Sequence, residues 1–348
     1  MSVTVDETGG TMAKRKHKEL VVGIDVSAKT LQVALRTLTG DVRDLEFTND
    51  AIGHRTLCDL LAKGRGRARA CLEATSLYGL DVAIALHRAG VEVMVANPKA
   101  AKRFIEACMQ RAKTDRVDAR GLLEFALRMD FVPWIPPSDG RLALRMFARR
   151  LSDLVAQSTA EQNRLHALRA TTTTPAFVLE DVQASIAEIQ KRTETLIERA
   201  LQLVASDPEL AAAHAVVTSV KGIAERSSIA LLGELLLLPA ELTVREVVAH
   251  AGLDPRPKES GTSVHGRRAI SRIGNTRLRA ALYMPALVAI QREPAIRDHY
   301  QALVAEGKLK MVAIVAVMRK LLHSLWRMIH TGTAFDGRKY SHRQVPAA

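Results

Sequence analysis

The sequence predicts an α/β domain followed by a long, mostly helical region. Three observations support this: the first apolar stretches alternate like a strand meander, later strand-like runs alternate with helical ones, and "FVPWIPPSDG" forms a Pro/Gly-rich boundary. Beyond that boundary, apolar residues follow helical spacing. Strands that begin as a meander and then alternate with helices predict a mixed sheet with helices packed on it.

The α/β domain is predicted over residues 20–135. It begins with "ELVVGIDVSAKTLQVALRT", two strands around a Ser/Lys turn, and a third strand follows in "DVRDLEFTND". Helix "GHRTLCDLLAKG" then leads to strand "ARACLEAT", and helix "LYGLDVAIALHRAG" leads to strand "VEVMVANP". A further helix is predicted in "KAAKRFIEACMQ".

Composition excludes several classes of protein. The 348 residues are 47% apolar, enough for the cores of two or three globular domains. The longest apolar run, "IALLGELLLLP", is too short to span a bilayer and contains Glu234, so it predicts a buried helix. Residues 1–19 lack an apolar signal core, which predicts a disordered basic lead and no secretion. Cys58, Cys71 and Cys108 form no CxxC pair, which argues against a zinc or disulfide site and favours a reducing cytoplasm.

The basic charge is concentrated at the C-terminal end. The formal net charge is +13, and residues 255–348 contain 17 basic and 5 acidic residues. A basic region with apolar helical runs is typical of a folded nucleic-acid-binding module, and no basic amphipathic helix with aromatic anchors indicates a membrane surface instead. Because only 4% of the residues are aromatic, recognition by extensive base stacking is not expected.

Four carboxylates occupy informative positions in the α/β domain. Asp25 and Glu73 each end a predicted strand, and Asp115 and Asp118 lie on one face of a helix in "QRAKTDRVDA". Alone, such a pair is typical of a solvated, salt-bridged helix, and a strand-end Asp is typical of a turn. A mixed sheet can also bring two strand ends and a crossing helix together, so the four acids could converge around one or two divalent cations. Oxygen ligands of this kind suit Mg²⁺ or Mn²⁺.

The helical region begins with a predicted hairpin arm over residues 141–206, where apolar helical spacing resumes after "TTTTP". Such an arm is typical of dimerisation or scaffold packing, and a simple spacer is the alternative. In "SVKGIAERSSIALLGEL", Gly222 lies in a short turn between helices. A turn of this kind can present backbone N–H groups to a phosphate, as helix-hairpin-helix modules do, although glycine there is ordinarily a helix cap.

Two sets of motifs in this sequence resemble those of a known protein family. The first is "GIDVSAKTLQVAL", "EATSLYG", "VANP" and "KTDRVDARGL"; the second is "GLDPRPKESGTS", "ISRIGNTRLRAALY", "GKLKMVAIVAVMRKLL" and "GTAFD". In this order they resemble the DEDD-type transposases of bacterial insertion sequences, insertion-sequence family 110 and its 1111 subgroup, over about residues 20–335. Ser76 stands where the family usually has glycine, so the turn after Glu73 departs from the family pattern.

The resemblance implies a fold for each part of the chain. The N-terminal domain would have the RNase H-like fold of the resolvase RuvC, and the hairpin would be a coiled-coil arm. Residues 210–335 would form a mostly helical transposase domain with a helix-hairpin-helix-like element, and residues 336–348 a flexible tail.

The resemblance also implies an activity. The chain would be a recombinase that moves an insertion sequence, acting on donor and target DNA under guidance of a structured non-coding bridge RNA. It would work in the bacterial cytoplasm at the nucleoid, as a dimer that assembles into a tetramer. The family's acidic tetrad, which would hold Mg²⁺ or Mn²⁺, corresponds to Asp25, Glu73, Asp115 and Asp118.

The family's nucleophilic serine corresponds to Ser260 in "ESGTS". A serine hydroxyl attacks a phosphodiester only when it is activated or firmly positioned. Ser260 is far along the chain from Asp118, so a shared site would be a composite between domains or subunits. Ser263 and Ser271 are alternatives, and an arbitrary serine in a polar loop is ordinarily a turn residue.

The C-terminal loop "GLDPRPKESGTSVHGRRAISRIGNTRLRAALY" concentrates the predicted phosphate contacts, which position a duplex rather than read it. The residues predicted to contact nucleic acid are Lys113, Gly222, Lys258, Arg267, Arg268, Arg272, Asn275, Arg277 and Arg279.

Three other functional classes stay open. In a junction-resolving, Mg-dependent endonuclease, water would attack and Ser260 would be idle. In an ATP-binding protein of the actin type, "GIDVSAKT" would be a phosphate loop, but no second Asp-Gly-Gly loop follows. In a non-enzymatic nucleic-acid scaffold, the four acids would have no catalytic role.

Overall fold

The computed structural model describes residues 19–63, 67–73, 77–108, 115–256, 259–260, 264–265 and 269–340. The chain divides into two compact units, Met1–Pro136 (unit 1) and Pro137–Ala348 (unit 2). The division falls inside "FVPWIPPSDG". Of the predicted lead and tail, residues 1–18 and 341–348 lie outside the described residues. In the described ranges, no helix is both long enough and apolar enough to cross a membrane.

Unit 1 is built on a five-stranded mixed sheet. Its strands are β1 (Glu19–Val26), β2 (Thr30–Arg36), β3 (Val42–Thr48), β4 (Arg67–Glu73) and β5 (Glu92–Ala96). The order across the sheet is β3-β2-β1-β4-β5, with antiparallel pairing through β1, β2 and β3 and parallel pairing from β1 to β4 and β5. The predicted mixed sheet is confirmed, and this order, with β2 opposite in direction to the other four strands, is the RNase H-like arrangement.

Helices cover both faces of the sheet. They are α1 (Ala51–Ala62), α2 (Leu80–Arg88), α3 (Pro98–Ala107) and α4 (Asp115–Arg128), with a short 3-10 helix at Leu77–Gly79. Successive strand residues point to opposite faces, so Val22 packs with α1 and α2 whereas Val21 packs with α3 and α4. Local signals start the helices: the Asp50 carboxylate accepts from two backbone N–H groups at the start of α1, and Asn97 does the same before Pro98 in α3.

Unit 2 begins with two long helices, α5 (Asp139–Arg169) and α6 (Ala176–Ser206), joined by residues 170–175. They fold back on each other: Leu151 of α5 and Ala200 of α6 belong to the same buried core, as do Leu144 and Val204. Further from that core, the side chains of α5 and α6 become more exposed, and Phe177 at the start of α6 is 77% exposed.

The rest of unit 2 packs shorter helices around one long one. The helices are α7 (Pro208–Thr218), α8 (Glu225–Leu235), α9 (Val244–His250), α10 (Thr276–Ala281), α11 (Tyr283–Arg292), α12 (Pro294–Ala305), α13 (Lys310–Thr331) and α14 (Gly337–Tyr340). Four two-residue strands lie between α9 and α10: β6 (Pro255–Arg256), β7 (Glu259–Ser260), β8 (Val264–His265) and β9 (Ala269–Ile270). The helix predicted in "IALLGELLLLP" is α8, and its Glu234 is buried as expected, at 5% exposure.

Candidate active site

Asp25 and Glu73 lie side by side at one end of the sheet. β1 and β4 run parallel, and their pairing extends to Ile24 opposite Leu72. The next position on each strand is a carboxylate, Asp25 on β1 and Glu73 on β4. Both are partly buried. Strand register alone therefore brings together two acids that are far apart in the sequence.

Both acids belong to the sheet face that α4 covers. Side chains two positions apart on a strand share a face, so Asp25 shares its face with Val21, and Glu73 with Cys71. Val21 and Cys71 are buried in the core beneath α3 and α4. We call this end of this face, with Asp25 and Glu73, the acidic edge.

Helix α4 crosses β1 at Gly23. A Cβ atom on Gly23 would lie 2.2 Å from the carbonyl oxygen of Ala119 and 2.2 Å from the backbone nitrogen of Leu123. A residue without a Cβ atom is needed where two backbones approach this closely. Asp25 is two residues further along the same face, about 6.6 Å along the strand.

The direction of α4 follows from the contacts after its last turn. Phe131 lies just past the end of the helix, and the centre of its ring is 5.0 Å from the guanidinium carbon of Arg69. Arg69 pairs with Val21, near the beginnings of the strands. Helix α4 therefore runs against β1, and its first turn points toward the strand ends. With a rise of about 1.5 Å per residue, the turn 115–118 lies about level with Asp25.

Asp115 and Asp118 continue the stripe of α4 that faces the sheet. Asp115 precedes Ala119 by one turn, and Asp118 precedes Leu122 by one turn; Ala119 and Leu122 are each 1% exposed against the sheet. Residues four apart share a helix face, so both acids lie on the sheet side of α4. Asp118 is partly buried and Asp115 is exposed.

One basic residue of α4 bonds the sheet rather than the acidic pair. Arg120 forms a bidentate salt bridge with Asp44 of β3, with nitrogen–oxygen distances of 2.9 and 2.7 Å. The hydrogen bond from Arg120 holds the pKa of the Asp44 carboxyl below its usual value. This bond ties α4 to the sheet and directs the Arg120 charge to a strand residue.

Two properties of these acids bear on binding of a divalent cation: the type of donor atom and the positions of the residues in the fold. Their oxygen-only donor set is the type that Mg²⁺ and Mn²⁺ prefer. Strand register sets Asp25 beside Glu73, and α4, whose first turn contains Asp115 and Asp118, packs on the same sheet face. Among the residues that the structure describes, which include all four acids, no three Asp, Glu, His or Cys side chains gather closely enough to hold one metal ion.

Ser260 belongs to unit 2, in the segment between α9 and α10. Its backbone pairs with Val264 in the short β7–β8 ribbon. The base of this segment is closed by backbone bonds: the Ser271 nitrogen donates to Asp254 oxygen at 2.8 Å, and the Arg272 nitrogen donates to Gly252 oxygen at 3.1 Å. We call residues 254–275 the serine loop. Ser263 and Ser76 lie outside the described residues.

A buried carboxylate holds the end of the serine loop. Glu234 of α8 accepts from Arg149 Nε of α5 at 3.1 Å and from Asn275 Nδ2 at 2.7 Å. Asn275 in turn caps α10, since its side-chain oxygen accepts from two backbone N–H groups. Sequence reasoning assigned no role to this network, although an acidic residue inside an apolar run is a signal that a buried partner is needed.

Arg145 adds a second positive charge beside this carboxylate. Burial lowers the pKa of the Arg145 guanidinium, the nearby Arg149 charge lowers it further, and Glu234 offsets part of the effect. Arg149 therefore bonds Glu234 directly, whereas Arg145 interacts with it only through its charge.

Several residues predicted to contact nucleic acid have partners within unit 2. Asn275 is bonded as described above, Arg277 donates to Asp153 Oδ1 at 2.9 Å, and Arg279 donates to the Ala251 carbonyl at 2.8 Å. Arg272 is exposed and has a positive φ of 53°, a strained value for a residue with a side chain. The predicted contacts outside the described residues are Lys113, Lys258, Arg267 and Arg268.

Gly222 lies in the turn between α7 and α8, where the sequence placed it. Its φ is +119°, and a Cβ atom there would lie 2.8 Å from the Ala289 nitrogen and 2.9 Å from the Pro285 oxygen. Close packing against α11 accounts for the glycine without a ligand.

Comparison with known proteins places both parts of the chain in one family. A DEDD transposase model of the IS110 group matches residues 22–172. A second model, described as transposase of the IS116/IS110/IS902 family, matches residues 214–301. The first match spans the acidic edge and α4, and the second spans the serine loop.

Relatives match over most of the chain. A pilin gene-inverting protein of Moraxella lacunata is 26% identical over 328 residues, 91% of this chain and 98% of that protein. The 43.6 kDa protein of insertion element IS110 from Streptomyces coelicolor is 27% identical, over 64% of this chain and 52% of that protein. Among solved structures, Thermus thermophilus RuvC with a Holliday junction aligns with 33% of this chain and 98% of its own, at 16% identity and a TM-score of 0.26. The two family models, matched in order along the chain, show that it belongs to the IS110 family of DEDD transposases.

Proposed function

We propose that this transposase cuts and rejoins DNA through a covalent phosphoserine intermediate. In this proposal Ser260 is the nucleophile, and Asp25, Glu73, Asp115 and Asp118 hold Mg²⁺ or Mn²⁺. The observation that supports it most is the β1–β4 register, which sets Asp25 beside Glu73, together with the close approach of α4, the helix of Asp115 and Asp118, to β1 at Gly23. A nucleic-acid scaffold has no need of such an arrangement.

The proposed chemistry divides between a nucleophile and a set of carboxylates. The Ser260 hydroxyl attacks the phosphorus, its proton leaves to a base or to water, and the bond to one DNA segment breaks to give a free hydroxyl end. Asp25, Glu73, Asp115 and Asp118 would hold a divalent cation, which when bound would supply positive charge to offset the charge on the phosphate oxygens. In this proposal the carboxylates orient the site. A hydroxyl of the partner strand then attacks the serine ester, which joins the new strand and frees Ser260.

The relatives favour an exchange over simple hydrolysis. The name of the pilin gene-inverting protein describes a reaction in which DNA must be both cut and rejoined. A serine ester conserves the energy of the broken phosphodiester, so rejoining needs no external energy source. Attack by water would lose that energy. For this reason we favour the covalent route over a junction-resolving nuclease.

Trapping of the covalent intermediate tests the nucleophile. Protein, its co-purified RNA, Mg²⁺ and end-labelled DNA are mixed, denatured and separated by electrophoresis. We expect a protein–DNA adduct in the wild type and in Ser263→Ala, and none in Ser260→Ala. An adduct that persists in Ser260→Ala would contradict the assignment, and DNA cleavage by the wild type without any adduct would favour a hydrolytic nuclease.

Substitution at the acidic edge tests the carboxylates separately. Asp115→Asn keeps the shape of the side chain and removes its charge. We expect this variant to lose strand cleavage by at least about a hundredfold, because electrostatic stabilisation of the transition state is commonly worth this much. Asp115→Asn protein that cleaves as well as wild type would show that the tetrad is not catalytic.

We further propose that a structured non-coding bridge RNA and both DNA partners bind this chain as a dimer that assembles into a tetramer. The low aromatic content supports limited base reading by the protein itself. Phosphate contacts are proposed for Lys258, Arg267, Arg268 and Arg272. Sequencing of co-purified RNA and measurement of mass by light scattering, with and without that RNA, check both statements.

A further inference from the structure

Helix α3 begins beside the acidic edge. β4 and β5 run parallel, and their pairing extends to Glu73 opposite Ala96. Asn97 follows Ala96 directly and caps α3, so Lys99 in the first turn of the helix is three residues from the strand position that pairs with Glu73. The structure describes every residue of this connection. The start of α3 therefore lies next to one of the two strand-end acids.

Helix α3 has an apolar face and a basic face. Ala101 is buried, and Phe104 packs against the core that α3 shares with α4 and the sheet. Lys99, Lys102 and Arg103 are exposed. Residues three and four apart share one side of a helix, so these three form a single stripe on the face away from the sheet. We call them the basic stripe.

The charges of the basic stripe are not used by the fold itself. Within the described ranges, Lys99 and Arg103 have no acidic partner. Lys102 Nζ lies 3.9 Å from Glu106 Oε1, with both side chains mostly exposed, and a surface pair of this kind contributes little to stability. Arg120 of the neighbouring α4, by contrast, is bonded to the sheet. Three positive charges of α3 are therefore available to an anionic partner.

We propose that the basic stripe binds the phosphate backbone of the DNA substrate. Neighbouring strands of a sheet are about 5 Å apart, so the end of β5 lies about 5 Å from the end of β4 and about 10 Å from the end of β1. A DNA strand that reaches Asp25 and Glu73 thus passes within reach of the start of α3. The inference goes beyond the proposed function, since it needs neither Ser260 nor a bound cation.

Counterion release makes such a contact measurable. Lys and Arg side chains that neutralise phosphates displace the cations condensed on DNA, so the logarithm of the affinity falls with the logarithm of the salt concentration, by about 0.9 for each phosphate contacted. A basic stripe that contacts phosphates contributes to this slope. A stripe that is merely solvated does not, so the slope distinguishes the two.

Binding of the full-length protein to a fluorescein-labelled DNA duplex of arbitrary sequence tests the proposal. Anisotropy is measured over a series of salt concentrations with EDTA present, so the readout does not depend on cleavage. We expect the triple variant Lys99→Gln, Lys102→Gln, Arg103→Gln to bind at least about tenfold more weakly near 0.1 M salt, and its slope to decrease by about two to three. The triple variant Lys99→Arg, Lys102→Arg, Arg103→Lys keeps the charges and is expected to keep the wild-type slope.

A control with the same change in net charge separates position from charge. Lys63 follows α1, Arg67 begins β4, and Arg88 ends α2 before β5; all three are exposed. Because β4 and β5 begin at the end of the sheet opposite the acidic edge, the triple variant Lys63→Gln, Arg67→Gln, Arg88→Gln is expected to keep the wild-type slope. The thermal midpoint of each variant is measured alongside.

Three outcomes would overturn the inference. A wild-type slope in the glutamine variant of the basic stripe would show a solvated face. Equal weakening in that variant and in the control would show an effect of net charge alone. Loss of binding to a labelled RNA with unchanged binding to DNA would assign the surface to RNA. None of these results bears on the serine adduct, so this inference and the proposed function fail separately.

Discussion

In unit 1, the acidic edge is positioned by backbone geometry: the β1–β4 register sets Asp25 beside Glu73, and Gly23 lets α4 approach β1. In unit 2, the end of the serine loop is held by side-chain bonds to one buried carboxylate, with Glu234 bonded to Arg149 and Asn275. Backbone packing tolerates changes of surface charge but not of volume. A buried ion pair tolerates small changes of shape but not the loss of a partner. The two regions are therefore expected to fail under different substitutions.

The largest effect is expected from Glu234→Ala. It removes the buried acid that pairs with Arg149. Breaking a buried ion pair costs about 3–5 kcal/mol in the free energy of unfolding, and because the Arg149 side chain is 31% exposed we expect a loss in the lower half of that range. Urea denaturation of the purified chain measures this.

The matched test is the double variant Glu234→Ala with Arg149→Ala. If the cost arises from unpaired charge, the double variant loses less than the sum of the two single variants, because neither partner is left alone. Additive losses would show that Glu234 stabilises unit 2 by packing rather than by pairing. The proposed difference between unit 1, held by backbone packing, and unit 2, held by an ion pair, would then be wrong.

Gly23→Ala is expected to have the next largest effect, with a loss of about 3 kcal/mol in the stability of unit 1. The new Cβ atom would meet backbone atoms of α4, which can move only if the helix shifts. Gly121→Ala is the matched control, because the atoms nearest to its Cβ would be side-chain atoms of Ile105 on α3 rather than backbone atoms. A similar loss in both variants, measured by thermal unfolding, would mean that contact with backbone atoms at Gly23 costs no more stability than contact with side-chain atoms at Gly121.

A smaller effect is expected from Asn275→Ala, about 2 kcal/mol, because it removes a helix cap and leaves Glu234 with one fewer donor. Asn97 caps α3 with the same pair of backbone bonds. Asn97→Ala is expected to cost about 1 kcal/mol, the usual value for a cap. Equal losses in chemical denaturation would show that the bond from Asn275 to Glu234 adds nothing.

The smallest effect concerns pH in unit 1. Burial lowers the pKa of His54 below its ordinary value of 6.5, and the charges of Asp81 and Asp50 offset part of this shift. The folded chain therefore binds a proton at this site less readily than the unfolded chain. Stability from neutral His54 is fully present above pH 6.5 and decreases as the pH falls toward the lower, folded pKa.

Thermal unfolding between pH 5 and 7.5 checks this sign. His54→Gln has no group that titrates in this range, so the wild type is expected to lose more stability than the variant as the pH falls. Parallel pH profiles for the two proteins would contradict the prediction.

Local pattern predicted much of the fold. Alternating hydrophobicity identified the five strands, and helical spacing and caps identified the helices around them, because these signals depend on residues a few positions apart. The strand-end positions of Asp25 and Glu73 were also readable in this way. The resemblance of the motifs then supplied the family and the tetrad, which no pattern of hydrophobicity contains.

The sequence by itself determined the elements, the class of sheet and the positions of the acidic residues along the chain. The tertiary structure decided which of them meet. Only strand order sets Asp25 beside Glu73, and only helix packing shows why position 23 must be glycine. Glu234 and Arg149 are 85 residues apart, and Glu234 and Asn275 are 41 apart. Contacts over such distances depend on the packing of whole elements, which short-range periodicity does not specify.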